Sequence, residues 1–148
     1  VCLNADDHIQ LADNVKTAFT AGASRIELCS TMQLEGLTPS ATAMTIAAHA
    51  MPSEGELLIM IRPVANQFIV DATILKLMLT QIAHAAHAGA TGVVFGFVME
   101  MSINHELEIT SDGILARFRN SVGRMKTHKT AIQVPFEDLP RSILVNRN

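Results

Sequence analysis

Three residues at alternating positions of one short apolar segment carry side chains that could do chemistry. Arg25, Glu27 and Cys29 are separated by Ile26 and Leu28. Since successive side chains of a strand point to opposite faces, this spacing predicts that the three share one face. A charged pair on an interior strand is costly unless it is matched. We therefore interpret Arg25 and Glu27 either as part of a polar site that holds a substrate or metal, or as a structural ion pair.

The two cysteines of the chain, Cys2 and Cys29, lie on neighbouring predicted strands. Their spacing matches neither a zinc pattern nor a disulfide framework. Thiolates are soft ligands that select Cu(I) among the common biological metals, so the two sulfurs could hold Cu(I), with Met32 or Met60 as a weak third ligand. Free cysteine is also among the most often buried residue types, and ordinary core packing is therefore the alternative interpretation.

Arg62 ends another apolar segment and is followed by Pro63. Its planar guanidinium suits a carboxylate or phosphate ligand. We predict that Arg62 binds an anionic substrate together with Arg25 and Glu27, or that it serves as the partner of Glu27. In either case the side chains of Glu27 and Arg62 should converge at the carboxyl ends of their strands, because both carry charge that needs a partner.

Four residues with imidazole or carboxylate groups, and one glycine, give weaker candidates. His84 and His87 share a helix face, but they lie at a helix end where they favour the helix dipole, away from the usual functional side. His105 and Glu106 follow the fourth predicted strand and could serve general acid–base chemistry, although no third group is in register. Gly96 would either let a ligand approach the backbone or accommodate packing.

The elements that must position these residues repeat between Val1 and Met99. Two segments that begin Ala-Gly-Ala, at residues 21–28 and 88–95, each join a predicted helix to a buried-type strand. Glycine is favoured just past a helix end because it adopts the left-handed conformation without penalty. Alternating strands and helices predict parallel βαβ units, whose functional residues lie at the carboxyl ends of the strands.

The predicted elements follow this alternation in order. The second helix is expected to start with Thr38 as its N-cap and Pro39 at its first helical position. The predicted strands are Val1–Asn4, Arg25–Cys29, Leu57–Arg62, Gly92–Val98, Thr130–Phe136 and a short Ser142–Val145, and the predicted helices are His8–Ala21, Thr38–Ala50, Asp71–Ala88 and Ser111–Val122.

Composition bounds the class of protein. A chain of 148 residues with 49% hydrophobic content predicts a single domain with a real core, ending in an atypical tail at residues 123–148. No apolar run reaches the roughly 18 residues of a membrane span. A net charge of −3 without a basic patch gives no reason to expect nucleic-acid binding. With no visible signal peptide and only two cysteines, the expected location is the reducing cytoplasm.

Four segments together resemble a known protein family. They are 25–29 (Arg-Ile-Glu-Leu-Cys), 35–40 (Glu-Gly-Leu-Thr-Pro-Ser), 60–63 (Met-Ile-Arg-Pro) and 92–96 (Gly-Val-Val-Phe-Gly). In this order and spacing they resemble the copper homeostasis protein CutC family. The resemblance implies a (β/α)8 barrel, a cytoplasmic location and a link to copper. It strengthens the interpretation of Cys2 and Cys29 as ligands of Cu(I).

The sequence departs from the family pattern after Pro63. The family continues with a second arginine, two glycines and an acidic residue, whereas this chain has Val64–Phe68. The Thr-Phe-His-Arg motif of the family's fifth strand has no counterpart around residues 131–138. A closed eight-stranded barrel takes about 250 residues. We therefore predict an α/β fold that is a partial TIM (β/α) barrel of about four to five βα units.

A half barrel has two open sheet edges with unpaired backbone groups. We therefore predict self-association, most simply as a two-fold homodimer, or coverage of an edge by residues 123–148. Three functions stay open: a CutC-like protein that binds copper, a barrel enzyme acting on a small anionic substrate, and a non-catalytic remnant that only assembles. The concave face is expected to expose apolar side chains drawn from Ile26, Leu28, Ile59, Ile61, Val93 and Phe95.

Overall fold

The computed structural model describes residues 1–67, 70–95 and 132–136. Within them, five strands form one sheet in the order β1-β2-β3-β4-β5, and three α-helices pack on it. The strands are β1 (Cys2–Asn4), β2 (Arg25–Cys29), β3 (Glu56–Met60), β4 (Gly92–Phe95) and β5 (Ile132–Pro135), and the helices are α1 (His8–Thr20), α2 (Ala41–Ala50) and α3 (Ala72–Ala88), with a 3₁₀ turn at Met32–Leu34.

The first four strands are parallel, and α1, α2 and α3 connect them in turn. Their register is continuous across the sheet, with Leu3 opposite Leu28, Leu28 opposite Ile59 and Ile59 opposite Val93. Each strand therefore pairs with its neighbour in sequence, as in a barrel built from βα units. This arrangement confirms the predicted α/β fold and is that of a partial TIM-type barrel.

The fifth strand has a direction that the sequence left open. A strand within Thr130–Phe136 is present as β5, but it runs antiparallel to β4, with Val93 opposite Val134. Apolar patterning identifies a strand without fixing its direction, which is why the sequence could not settle this point. The other elements predicted between β4 and the end of the chain, together with Gly96, His105 and Glu106, lie outside the described residues.

Helix boundaries follow local capping. Asp7 caps α1 by accepting hydrogen bonds from the amides of Ile9 and Gln10, and Asp71 caps α3. The prediction of Thr38 as N-cap of α2 is wrong, because Ser40 accepts the capping hydrogen bond from the Ala43 amide. Among the described residues, no helix has the length and apolar character needed to cross a bilayer.

The Thr38 hydroxyl is committed to other partners. It accepts a hydrogen bond of 2.8 Å from the Arg62 amide and donates one of 2.8 Å to the side chain of Gln81. The Thr38 amide in turn donates to the Arg62 carbonyl. Thr38 thus joins the segment before α2 to the chain just after β3, while the helix itself starts at Ala41, after Ser40.

The core lies between the sheet and the helices. The prediction that the apolar strand residues line a concave face is wrong, because they alternate onto the helix side, where burial of apolar surface is favourable. On β2 the opposite face carries Arg25, Glu27 and Cys29, as alternation predicts. The misassigned residues, all at most 2% exposed in this core, are Ile26, Leu28, Ile59, Ile61, Val93 and Phe95.

Candidate metal centre

Three sulfur atoms meet at the carboxyl end of β2, and we call Cys2, Cys29 and Met32 the sulfur cluster. The Sγ atoms of Cys2 and Cys29 are 3.4 Å apart, and the Sδ atom of Met32 is 3.0 Å from the Cys29 Sγ. Cys29 is buried, whereas Cys2 and Met32 are exposed. The predicted proximity of the two cysteines is confirmed, and Met32, one of the two methionines considered, contacts Cys29.

The two cysteines lie diagonally across the sheet. Cys2 is opposite Glu27, and Cys29 is opposite Asn4, so they are offset by two residues on the same face. With strands about 4.8 Å apart and a rise of about 3.3 Å per residue, this offset separates their Cα atoms by about 8 Å. Disulfides usually need a Cα separation of about 4.4–6.8 Å. The register therefore favours two thiols over a disulfide, and both cysteines are free.

Met32 lies in a short loop, residues 31–37, which we call the sulfur loop. Its base is closed by Ser30 and Leu37, whose amides and carbonyls exchange hydrogen bonds of 2.9 and 2.7 Å. Within it, Thr31, Glu35 and Gly36 have φ values of 53°, 64° and 81°. Left-handed conformations at two residues other than glycine are costly, so the loop needs contacts that hold it in place.

Arg62 supplies one of these contacts. Its guanidinium is buried, and Nη1 donates hydrogen bonds of 2.9, 3.1 and 3.2 Å to the carbonyls of Leu34, Glu35 and Gly36. The Glu35 carboxylate lies 3.8 Å from Nη2. Among the described residues, Glu35 is the acidic side chain that lies against Arg62, so the expectation that Arg62 pairs with Glu27 is wrong. The Nη1 group, buried and bonded to three backbone carbonyls, holds the loop in its folded form.

Arg25 lies at the other end of the sheet. Its Nε atom forms an ion pair with Glu56, which is opposite it on β3, and Nη1 donates a hydrogen bond of 2.8 Å to the Gln133 side chain on β5. Arg62 is six residues beyond Glu56 along the chain, so it lies about 20 Å further along the sheet. The described geometry therefore does not bring Arg25, Glu27 and Arg62 together into one anion site.

The environment of Cys29 keeps its thiol protonated. Burial first, then the hydrogen bond and charge of Cys2, and then the charges of Glu27 and Asp6, raise the pKa of Cys29 from 9.0 to about 12. Glu27 thus acts electrostatically on Cys29 from the same face of β2. A metal that binds Cys29 as a thiolate must displace this proton, so binding would release protons to solvent.

The donor set fits a soft metal ion. Two thiols and a thioether suit Cu(I), whereas harder divalent cations prefer oxygen ligands. Within the part of the chain that the structure describes, no group of three or more histidine, cysteine, aspartate and glutamate side chains is placed to hold a metal. His84 and His87 are exposed on α3, and His87 lies in its last turn, where the helix dipole favours a positive charge.

Comparison with known proteins identifies the family of this chain. The family model of the CutC family matches residues 4–131. The chain belongs to the CutC family. A CutC family protein from Aliivibrio fischeri is 35% identical over 128 residues, which cover 82% of this chain and 51% of that protein. A Caenorhabditis elegans relative, named a copper homeostasis protein cutC homolog, is 37% identical over 90 residues, covering 61% of this chain and 34% of the relative.

A solved structure supports the same assignment. The structure named as copper homeostasis protein CutC from Streptococcus agalactiae superposes with a TM-score of 0.54 at 27% identity, covering 67% of this chain and 45% of that one. This chain spans a third to a half of the length of the curated CutC relatives reported above. The predicted resemblance to CutC is thereby confirmed.

Two parts of the site escaped the sequence analysis. Asp6, just after β1, accepts hydrogen bonds from the Thr31 amide, and Gly36 packs against Cys29. A signal was available for each. Asp6 follows the carboxyl end of a strand, where functional residues of barrels concentrate, and Gly36 belongs to the family-like segment 35–40.

Proposed function

We propose that this protein binds Cu(I) through the sulfur cluster and acts in copper homeostasis. The observation that carries the proposal is the convergence of three sulfur atoms, with Cys2 and Met32 lying 3.4 and 3.0 Å from the Cys29 Sγ. Soft sulfur donors of this kind suit Cu(I), whereas Mg²⁺, Ca²⁺ and Mn²⁺ prefer oxygen ligands. The name of the Caenorhabditis elegans relative, which refers to copper homeostasis, supports the same direction.

The sulfur cluster combines one buried residue with two exposed ones, an arrangement that suits a protein that takes up a metal ion and later transfers it. Cys29 is anchored in the protein, with 2% exposure, while the Met32 side chain is 45% exposed and Cys2 is exposed. An incoming ion would meet the exposed sulfurs before the buried one. Thiols that must stay reduced also suit the cytoplasm, and we propose that location for the protein.

An anaerobic titration with Cu(I) against a competing chelator tests the proposal. We expect near one equivalent bound, strong weakening in Cys2→Ser and in Cys29→Ser, and weaker binding in Met32→Leu. Met60→Leu is the matched control, because Met60 ends β3 and is the other methionine that the sequence suggested. Binding that survives loss of both cysteines would overturn the site assignment.

The anionic-substrate alternative lacks a comparable observation. Arg62 is engaged with three loop carbonyls, and Arg25 is paired with Glu56 at the opposite end of the sheet. The sequence-predicted anion site used Arg25, Glu27 and Arg62 together, and these residues do not converge. We therefore prefer the copper proposal to this alternative.

We also propose that a second copy of the chain pairs along β1, giving a homodimer. Among the described strands, β1 is an edge strand, with β2 as its hydrogen-bonded neighbour. The Ala5 amide donates to Cys29 on β2, so by alternation the Asn4 amide points to the free edge. Asn4→Pro removes this outward donor and leaves the Ala5 bond in place. Light scattering should show a dimer that becomes a monomer in the variant, and a wild-type monomer would contradict the proposal.

A further inference from the structure

The Asp6 carboxylate holds the first residue of the sulfur loop. Its Oδ1 and Oδ2 atoms accept the Thr31 amide at 3.1 and 3.0 Å. Thr31 has φ 53°, a conformation that is unfavourable for a β-branched residue. Something must offset that strain, and hydrogen bonds to a charged acceptor are among the stronger ones in proteins.

Thr31 directly precedes Met32. Fixing the Thr31 backbone therefore fixes the position of the Met32 Cα atom, from which the side chain extends. The Thr31 carbonyl accepts the Leu34 amide at 2.8 Å, which closes the turn that carries Met32. With both groups of Thr31 fixed, the turn places the Met32 Sδ atom against Cys29. The exposed methionine side chain has several rotatable bonds. Its contact with Cys29 is therefore maintained only if the backbone of Met32 is held in place.

The base of the loop does not depend on Asp6. Ser30 and Leu37 are joined by two backbone hydrogen bonds, and Arg62 holds the carbonyls at the far side of the loop. Loss of the Asp6 contact should therefore release Thr31 and Met32 without opening the rest of the loop. This separation makes a specific role for Asp6 testable.

We infer that Asp6 is a positioning residue for the sulfur cluster, fixing Met32 as the third sulfur ligand of Cu(I) through the Thr31 amide. The inference rests on the proposed function and adds a residue to it. Asp6 itself is not a ligand in this assignment, since its hard carboxylate oxygens are engaged by an amide and suit Cu(I) poorly. It acts as outer-shell partners of metal ligands generally do, by orienting a group that touches the metal.

Two substitutions separate the hydrogen bond from the charge. Asp6→Asn keeps a carbonyl oxygen that can accept the Thr31 amide but removes the charge, whereas Asp6→Ala removes both. Asp13→Asn, on the exposed face of α1, is the control for loss of one negative charge. Loss of an outer-shell partner typically weakens metal binding by about 10- to 100-fold, and we expect that loss in Asp6→Ala.

Cu(I) affinity and X-ray absorption at copper give the first readouts. Asp6→Ala should bind Cu(I) more weakly and show two sulfur ligands in place of three. Asp6→Asn keeps a weaker, uncharged acceptor for the Thr31 amide and should fall between Asp6→Ala and the wild type, whereas Asp13→Asn should match the wild type. An Asp6→Ala protein with wild-type affinity and three sulfur ligands would overturn the inference. So would an Asp6→Asn protein that is as impaired as Asp6→Ala, since the charge rather than the hydrogen bond would then matter.

A metal-free readout separates this inference from the proposed function. We expect hydrogen exchange at the amides of Thr31 and Leu34 to be faster in Asp6→Ala than in the wild type, since the first is bonded to Asp6 and the second to the Thr31 carbonyl, with the Ser30 and Leu37 amides unchanged. If the wild type binds no Cu(I), the proposed function fails, while this exchange pattern still tests whether Asp6 holds the loop. Unchanged exchange at Thr31 would overturn the positioning role itself.

Discussion

Gly36 lies directly against Cys29. A Cβ atom placed on Gly36 would be 3.3 Å from the Cys29 Cβ and 3.4 Å from its Sγ. The contact of 3.3 Å is tighter than ordinary side-chain packing, so a side chain at Gly36 would have to push Cys29 aside by a few tenths of an ångström. Glycine is needed here for two separate reasons, the close approach and the φ of 81°.

Gly36→Ala should therefore be more damaging than an alanine at another left-handed glycine. Gly22 has φ 97° and nothing within 4 Å of a built Cβ, so Gly22→Ala carries only the left-handed strain of about 1–2 kcal/mol. Gly36→Ala adds the clash with Cys29, and we expect a larger loss in the free energy of unfolding together with weaker Cu(I) binding. Chemical denaturation and Cu(I) titration of both variants measure this. Equal losses of unfolding free energy in Gly36→Ala and Gly22→Ala would show that the contact between Gly36 and Cys29 does not affect stability.

The two arginines that the sequence grouped together should differ sharply in their contribution to stability. Arg62→Met leaves three loop carbonyls without their buried donor, and we expect a loss of at least about 2 kcal/mol in the free energy of unfolding. Arg25→Met removes an exposed ion pair with Glu56, which is worth at most about 1 kcal/mol. Urea denaturation followed by circular dichroism compares them, and an Arg25 variant as unstable as the Arg62 variant would contradict this assignment.

Alkylation should separate the two cysteines. Cys2 is exposed, whereas Cys29 is buried and the pKa of its thiol is raised to about 12. The thiolate is the reactive form, so iodoacetamide at neutral pH should modify Cys2 first and Cys29 only slowly. Peptide mass spectrometry over time resolves the two sites. Unfolding in denaturant should remove the difference, and equal rates in the folded protein would contradict the burial of Cys29.

Stability should fall at alkaline pH because of Cys29. Its pKa is about 12 in the folded protein against a reference of 9.0, so between these values the unfolded chain loses a proton that the folded chain keeps. The contribution to the free energy of unfolding is therefore complete below pH 9.0 and is lost as the pH rises to about 12. Denaturation curves across this range should fall less steeply in Cys29→Ala. The same slope in both proteins would count against the raised pKa.

Much of the fold was predictable because it depends on local periodicity. The bounds of β2 match the prediction, and the start of α1 at His8 follows from the cap at Asp7. The proximity of Cys2 and Cys29 followed from placing their strands side by side. Alternation likewise put Arg25, Glu27 and Cys29 on one face, but could not say which apolar set faces the helices, because strands of a barrel are buried on both faces.

The sulfur loop was much harder to predict than the strands. Nothing in the residue types of Thr31 and Glu35 signals a left-handed backbone, since such conformations in residues other than glycine are fixed by surrounding contacts. For the same reason, the partners of Arg62 could not be foreseen, because they are backbone carbonyls of that loop. Sequence patterns identified a buried arginine as important but not its role.

The hydrogen bond between Arg25 and Gln133 also has a meaning for the shape of the sheet. Their strands, β2 and β5, are three positions apart, which in a flat sheet is about 14 Å. A separation of 2.8 Å between the two side chains requires the sheet to curl around them. Among the described strands, β1 and β5 are the two outermost. Strand twist, with the helices packed on one side, thus bends the described strands into a segment of barrel wall.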